Sequence, residues 1–172
     1  MVKTINGKPF SPGEFDAYVR SLAWVGKFKP ELIVIHHTSS PSLAMRPKGW
    51  TDVHMQNLKS YYGADLGWSA GPHIFTDEDQ ALVFSPLTER GVHAVSFNRT
   101  GIGIEMLGDY DTEDPWSGRG LQVLRTTAHV VRSLMAALKV GKEAIRFHRD
   151  DPKTAKTCPG RLLSKERFLA LI

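Results

Sequence analysis

The chain has 172 residues, 41% hydrophobic and 23% charged, with 22 Lys and Arg against 18 Asp and Glu and a formal net charge of +4. That is apolar material enough for one domain with a real core, and aromatic and β-branched residues spread along the length exclude a disordered chain. No window approaches the roughly 18 consecutive apolar residues of a membrane span, and no run of about five or six like charges marks a nucleic-acid stripe.

Met1 to Pro9 carries no apolar stretch behind its charge, so no secretory leader is expected. Ser11-Pro12-Gly13-Glu14 reads as a capping box with proline at the first helical position. Phe15, Val19 and Leu22 supply the apolar stripe of the helix behind it, which makes residues 1–30 an N-terminal helical extension and 31–172 the core. Glu31 to His37 is a β-rich strand closing on a histidine pair, and Asp52 to Tyr61 is a helix opened by Asp52. Pro72 to Thr76 and Ala81 to Phe84 form a hairpin about the Asp77-Glu78-Asp79 turn. A long loop over 85–100 leads to the strand Gly101 to Leu107, and Asp109 to Gly120 is expected to be an exposed loop. Leu121, Leu124, Ala128, Val131, Leu134 and Leu138 keep helical periodicity over Leu121 to Val140, with Gly141 as the stop. Ala144 to Phe147 is a short strand, His148 to Pro159 a loop, and a last helix closes the chain. Strands interleaved with helices predict a mixed α/β fold: a single domain with a central mixed β-sheet flanked by helices.

Three constellations can carry chemistry. His36 and His148 end two strands, and Cys158 lies in a loop rich in Pro, Thr and Lys. Two imidazoles and a thiolate leave a fourth tetrahedral position open, the catalytic rather than the structural zinc arrangement. The blander alternative is a pair of hydrogen-bonded strand-end histidines and a small buried cysteine. Gly67-Trp68-Ser69-Ala70-Gly71 matches G-x-S-x-G, but a nucleophile elbow needs a strand before the serine and a helix after it, and neither is expected here. The third constellation is a thiol hydrolase built on Cys158 and His148, with a helix after Pro159-Gly160 lowering the thiol pKa. Metal content separates it from the zinc site. Cys158 is the lone cysteine, so no intramolecular disulfide forms.

Val34-Ile35-His36-His37-Thr38, Pro72-His73, Val92-His93-Ala94, Ile102-Gly103-Ile104-Glu105 and the spacing of His148 to Cys158-Pro159-Gly160 occur in this order. Together they resemble the zinc-dependent N-acetylmuramoyl-L-alanine amidase family, which includes amidase-type phage lysozymes, bacterial anhydro-muropeptide amidases and animal peptidoglycan recognition proteins. The resemblance runs from about residue 31 to about residue 170. It implies one Zn2+ held by His36, His148 and Cys158, Lys156 polarising the substrate, Glu105 as catalytic base and His93 as a substrate contact. Where the phage-lysozyme branch carries a catalytic tyrosine this chain has Pro72, which moves the base assignment to Glu105. The implied activity is hydrolysis of the lactyl–L-alanine amide of peptidoglycan or a muropeptide by a monomer, with no nucleic acid or membrane insertion involved. A phage or prophage endolysin, made in the cytoplasm and acting on the wall after release, is the favoured setting. A cytoplasmic muropeptide-recycling enzyme and a non-catalytic peptidoglycan-binding module are the alternatives.

Asp150 can orient a ligand imidazole or cap its loop. His37 is expected to turn to the opposite side of its strand from His36, His73 to support the site, and His54 and His129 to be ordinary helix residues. Asn98-Arg99-Thr100 reads as a loop, and Trp50, Trp68 and Trp116 as core aromatics able to stack on sugar or peptide.

Overall fold

The computed structural model describes residues 9–172; residues 1–8, on which the expectation of a missing leader rests, lie outside the described residues. The elements are α1 (Pro12–Ser21), β1 (Leu32–His37), α2 (Asp52–Ser60), β2 (Ile74–Thr76), β3 (Ala81–Val83), β4 (Gly101–Met106), α3 (Gly118–Leu138), β5 (Ile145–Phe147) and α4 (Lys165–Ala170). One five-stranded sheet runs β3-β2-β4-β1-β5. Its β1–β4, β1–β5 and β2–β4 pairs are parallel, and β3 closes the edge antiparallel to β2. The fold is a mixed α/β domain, as the alternation of elements predicts. No helix among the described residues is long and apolar enough to cross a membrane.

Strands β1 and β4 are buried along almost their whole length, and α3 packs against the sheet. Ile33, Val34 and Ile35 of β1 and Ile102 and Ile104 of β4 are fully buried. Against the sheet α3 turns Val123, Leu124, Val130, Val131 and Leu134, all without solvent exposure. A hydrogen bond of 2.7 Å between Thr127 and Thr76 hydroxyls satisfies the polar groups trapped in that interface. At α1 the Glu14 carboxylate accepts from the Ser11 N–H at 2.9 Å and hydroxyl at 2.8 Å, and buried Phe15 and Val19 seat the helix.

Several boundaries differ from expectation. The cap of α2 is Thr51, whose hydroxyl accepts from the His54 N–H at 3.5 Å, not Asp52; past Ser60 the helix widens into a π turn over Tyr61–Asp65. Helix α3 begins at Gly118, inside the stretch expected to be loop, because Gly120 lets it approach the preceding turn: a Cβ there would lie 2.2 Å from the Asp114 carbonyl oxygen. It stops at Lys139, which takes the left-handed conformation (φ 57) before Gly141 is reached. Tyr110, also expected to be exposed, is fully buried and donates to the Leu107 carbonyl at 2.8 Å.

Candidate metal centre

Open α/β sheets present functional groups at the carboxyl ends of their parallel strands. Three adjacent strands do so here. His36 ends β1 and stands in register with Glu105 of β4, while Phe147, last of β5, pairs with Ile35 and delivers His148 to the same edge. The loop beyond His148 folds back through an Arg149 N–H bond to the Cys158 carbonyl of 2.8 Å. The Arg149 guanidinium donates to the carbonyls of Gly160 at 2.7 Å and Leu163 at 2.8 Å. Asp111 accepts from the Thr157 hydroxyl at 2.6 Å and the Arg161 N–H at 2.8 Å. These bonds hold residues 148–163 in place around the ligand positions.

The result brings His36, His148 and Cys158 together, their donor atoms all within 4.8 Å of one another. His36 Nδ1 lies 3.1 Å from His148 Nδ1 and 3.7 Å from Cys158 Sγ, and the His37 backbone N–H donates to that sulfur at 3.4 Å. A tetrahedral zinc with its usual bond lengths holds nitrogen donors about 3.4 Å apart and nitrogen and sulfur about 3.6 Å apart. The donor set therefore fits zinc in kind and in its two separations from His36. Burial, reinforced for His36 by His93 and His148 and for both by Lys156, holds the two imidazoles below the ordinary histidine range, in the neutral form that ligates.

Glu105 sits with Oε1 3.8 Å from His36 Nδ1. Burial pushes its carboxyl up to about 8, against the pull of Lys156. Lys156 is exposed at the rim of the same cleft, a cavity of about 660 Å³ that also meets Tyr61, Tyr62, Trp68 and Pro72. Trp68, 36% exposed, stacks on Tyr62 with ring centroids 5.3 Å apart and 5° between planes. The wall they form includes tyrosines that sequence reading passed over; the widened π turn is what carries them to the cleft.

The remaining candidates have other partners. His93 lines the cleft, but its ring nitrogens face protein: Nδ1 lies 3.1 Å from His36 Nε2 and Nε2 lies 3.0 Å from the Gly101 carbonyl. Asp150 does not orient His148; its carboxylate accepts from the Phe147 N–H at 2.9 Å and from Lys165 Nζ at 2.5 Å, closing its own turn. The neighbouring Asp151, which sequence reading overlooked, is the buried one, accepting from the Ser96 N–H at 2.9 Å and so tying the 92–100 loop to the ligand loop. His37 Nδ1 accepts from the Tyr110 N–H at 3.0 Å, and His73 is buried between the Gly103 N–H and the Glu89 carbonyl, both at 3.0 Å. Ser69 is exposed, follows the π turn rather than a strand and precedes no helix, so it is no nucleophile elbow. Nor does a helix start at Cys158, since α4 begins only at Lys165, and burial pushes its thiol up.

A family model described as N-acetylmuramoyl-L-alanine amidase matches residues 26–161. Among solved structures, the N-acetylmuramoyl-L-alanine amidase LysC from Clostridium intestinale is 24% identical, with 87% of each chain covered and a TM-score of 0.65. A mutant endolysin from Bacillus subtilis is 25% identical over 84% of this chain and 86% of its own, with a TM-score of 0.64. Drosophila PGRP-LB is 20% identical over 80% of this chain and 79% of its own, with a TM-score of 0.63. No curated protein matches the chain in sequence.

Proposed function

We propose, since the chain belongs to the N-acetylmuramoyl-L-alanine amidase family, that it is a zinc-dependent amidase cleaving the bond between the lactyl group of N-acetylmuramic acid and L-alanine in peptidoglycan. The convergence of His36, His148 and Cys158 at the floor of the cleft carries this reading. These three side chains would hold the ion. Zinc supplies Lewis acidity, making water nucleophilic at neutral pH and polarising an amide carbonyl.

The chain's own groups do the rest. The Glu105 carboxylate, beside His36 in the cleft, can take a proton from the attacking water and return it to the departing alanine nitrogen. Pro72 has no hydroxyl for that work. Lys156 brings the cleft rim a positive charge that stabilises the oxyanion forming on the carbonyl; such a donor is worth about 100- to 1,000-fold in rate. Trp68 and Tyr62 offer a flat apolar wall against which a sugar or stem peptide can lie. Cys158 is better suited to ligation than to attack: a thiol kept neutral by burial is a poor nucleophile and becomes a thiolate when it meets a cation.

Likeness to an endolysin supports a phage or prophage lytic enzyme over muropeptide recycling. Mass spectrometry of purified sacculi after digestion tests the bond assignment. The expected products carry new L-alanine amino termini and intact glycan; new reducing ends would make the protein a glycosidase. Faster turnover of intact sacculi than of soluble muropeptides is expected of the lytic role, and the reverse order of the recycling one.

A further inference from the structure

We propose that His93 is a positioning residue that determines which nitrogen of His36 is presented to the metal. The inference rests on the zinc reading above and concerns hydrogen placement behind the site. Gly101 offers a carbonyl oxygen 3.0 Å from His93 Nε2, and a carbonyl can only accept, so Nε2 carries the hydrogen of that ring. A neutral imidazole has one N–H, which leaves His93 Nδ1 bare. The hydrogen in the 3.1 Å contact between the two rings therefore belongs to His36 Nε2. His36 Nδ1 is then bare in turn, its lone pair directed at the position shared with His148 Nδ1 and Cys158 Sγ. One backbone carbonyl sets two tautomers in series, and the second is the one ligation requires.

The sheet is hollowed to hold this relay. Gly103 of β4 lies against the His93 ring, where a Cβ would come within 2.4 Å of Cγ. The Asn98 side-chain oxygen accepts from the His93 N–H at 2.8 Å and the Ala94 N–H at 2.9 Å, which fixes the backbone from which the ring descends. His73 closes the far side, its ring edge-on to His93 at 5.7 Å. Both His93 nitrogens are thus engaged by the protein, and the ring has none left for the substrate contact that sequence reading assigned to it.

Zinc affinity, measured by competition with a chromophoric chelator on metal-depleted protein, tests the relay without reference to activity. Asn at position 93 places an acceptor oxygen near the Nδ1 position, whereas Leu places none. His93→Asn is expected to bind zinc within a few-fold of wild type, and His93→Leu to bind about 10- to 100-fold more weakly, with unchanged circular dichroism. Equal affinity of His93→Leu and wild type overturns the proposal, as does equal weakening in His93→Asn and His93→Leu. Long-range proton–nitrogen spectra of the metal-free wild type, which need no variant, are expected to show the His36 hydrogen on Nε2; finding it on Nδ1 overturns the proposal. Wild-type protein that binds no zinc would instead remove the metal reading on which the relay depends.

Discussion

Glu105 and His36 are neighbours across a parallel strand pair, and that adjacency gives each side chain a separable role. On the proposed reading the carboxylate moves a proton, and the two imidazoles and the sulfur hold the ion. Glu105→Gln is therefore expected to retain one zinc per chain while losing about 100- to 10,000-fold in kcat, the usual worth of general acid–base catalysis. Metal analysis beside steady-state rates checks this, and near-normal turnover would remove the base role. At this scale the sequence was legible only in combination. His36 and Cys158 lie too far apart in the chain for spacing to join them; the order of short motifs did so. Where no motif applied, two roles stayed open for Asp150, and the structure gives it the capping one. Asp150 and Asp151 are adjacent and chemically identical, but only folding reveals that Asp151 is the buried one.

Strand ends and one strapped loop set the geometry of the site. Glycine in the middle of β4 is unfavourable for a strand, which loses side-chain packing there, and is explained by the ring it accommodates. Gly103→Ala is expected to lower zinc affinity although every ligand remains, because the added methyl must displace His93; unchanged affinity by chelator competition would contradict that seating. The 148–163 loop depends on Asp111. Burial pushes that carboxyl up, but the bonds from Thr157 and Arg161 outweigh it and hold the group at about 2, below its ordinary 3.8. A folded-state pKa below the unfolded one means stability that is complete above the unfolded value and lost as pH falls through the folded one. Urea midpoints should therefore show wild type more stable than Asp111→Asn by a constant margin above about pH 5, shrinking toward pH 2; a margin unchanged over that range would contradict the role. Among the described residues, periodicity and turn chemistry located the five strands and four α-helices, since apolar spacing is a local property. The start of α3, the Thr51 cap and the burial of Tyr110 escaped because tertiary contacts decide them.

The molecule as a whole couples its sheet to its ligands: β1 runs through the core and ends in His36, so an ion bound there is bound only by the folded chain. Such linkage adds about 2.7 kcal/mol at a zinc concentration 100 times the dissociation constant. Chelation is accordingly expected to lower the melting temperature of wild type and to leave Cys158→Ser, already short of a ligand, nearly unmoved; equal shifts in both would place the metal elsewhere. Fold class was legible from the alternation of strands and helices, and the aromatic wall was not, because a π turn has no simple sequence signature. The most direct measurement is a zinc titration of metal-depleted wild-type protein, with bound metal and release of L-alanine amino termini from sacculi followed together. Activity should be absent at the start and rise in step with zinc to a plateau at one equivalent; full activity in the metal-depleted protein, or a plateau unrelated to zinc bound, would contradict a catalytic ion held by His36, His148 and Cys158.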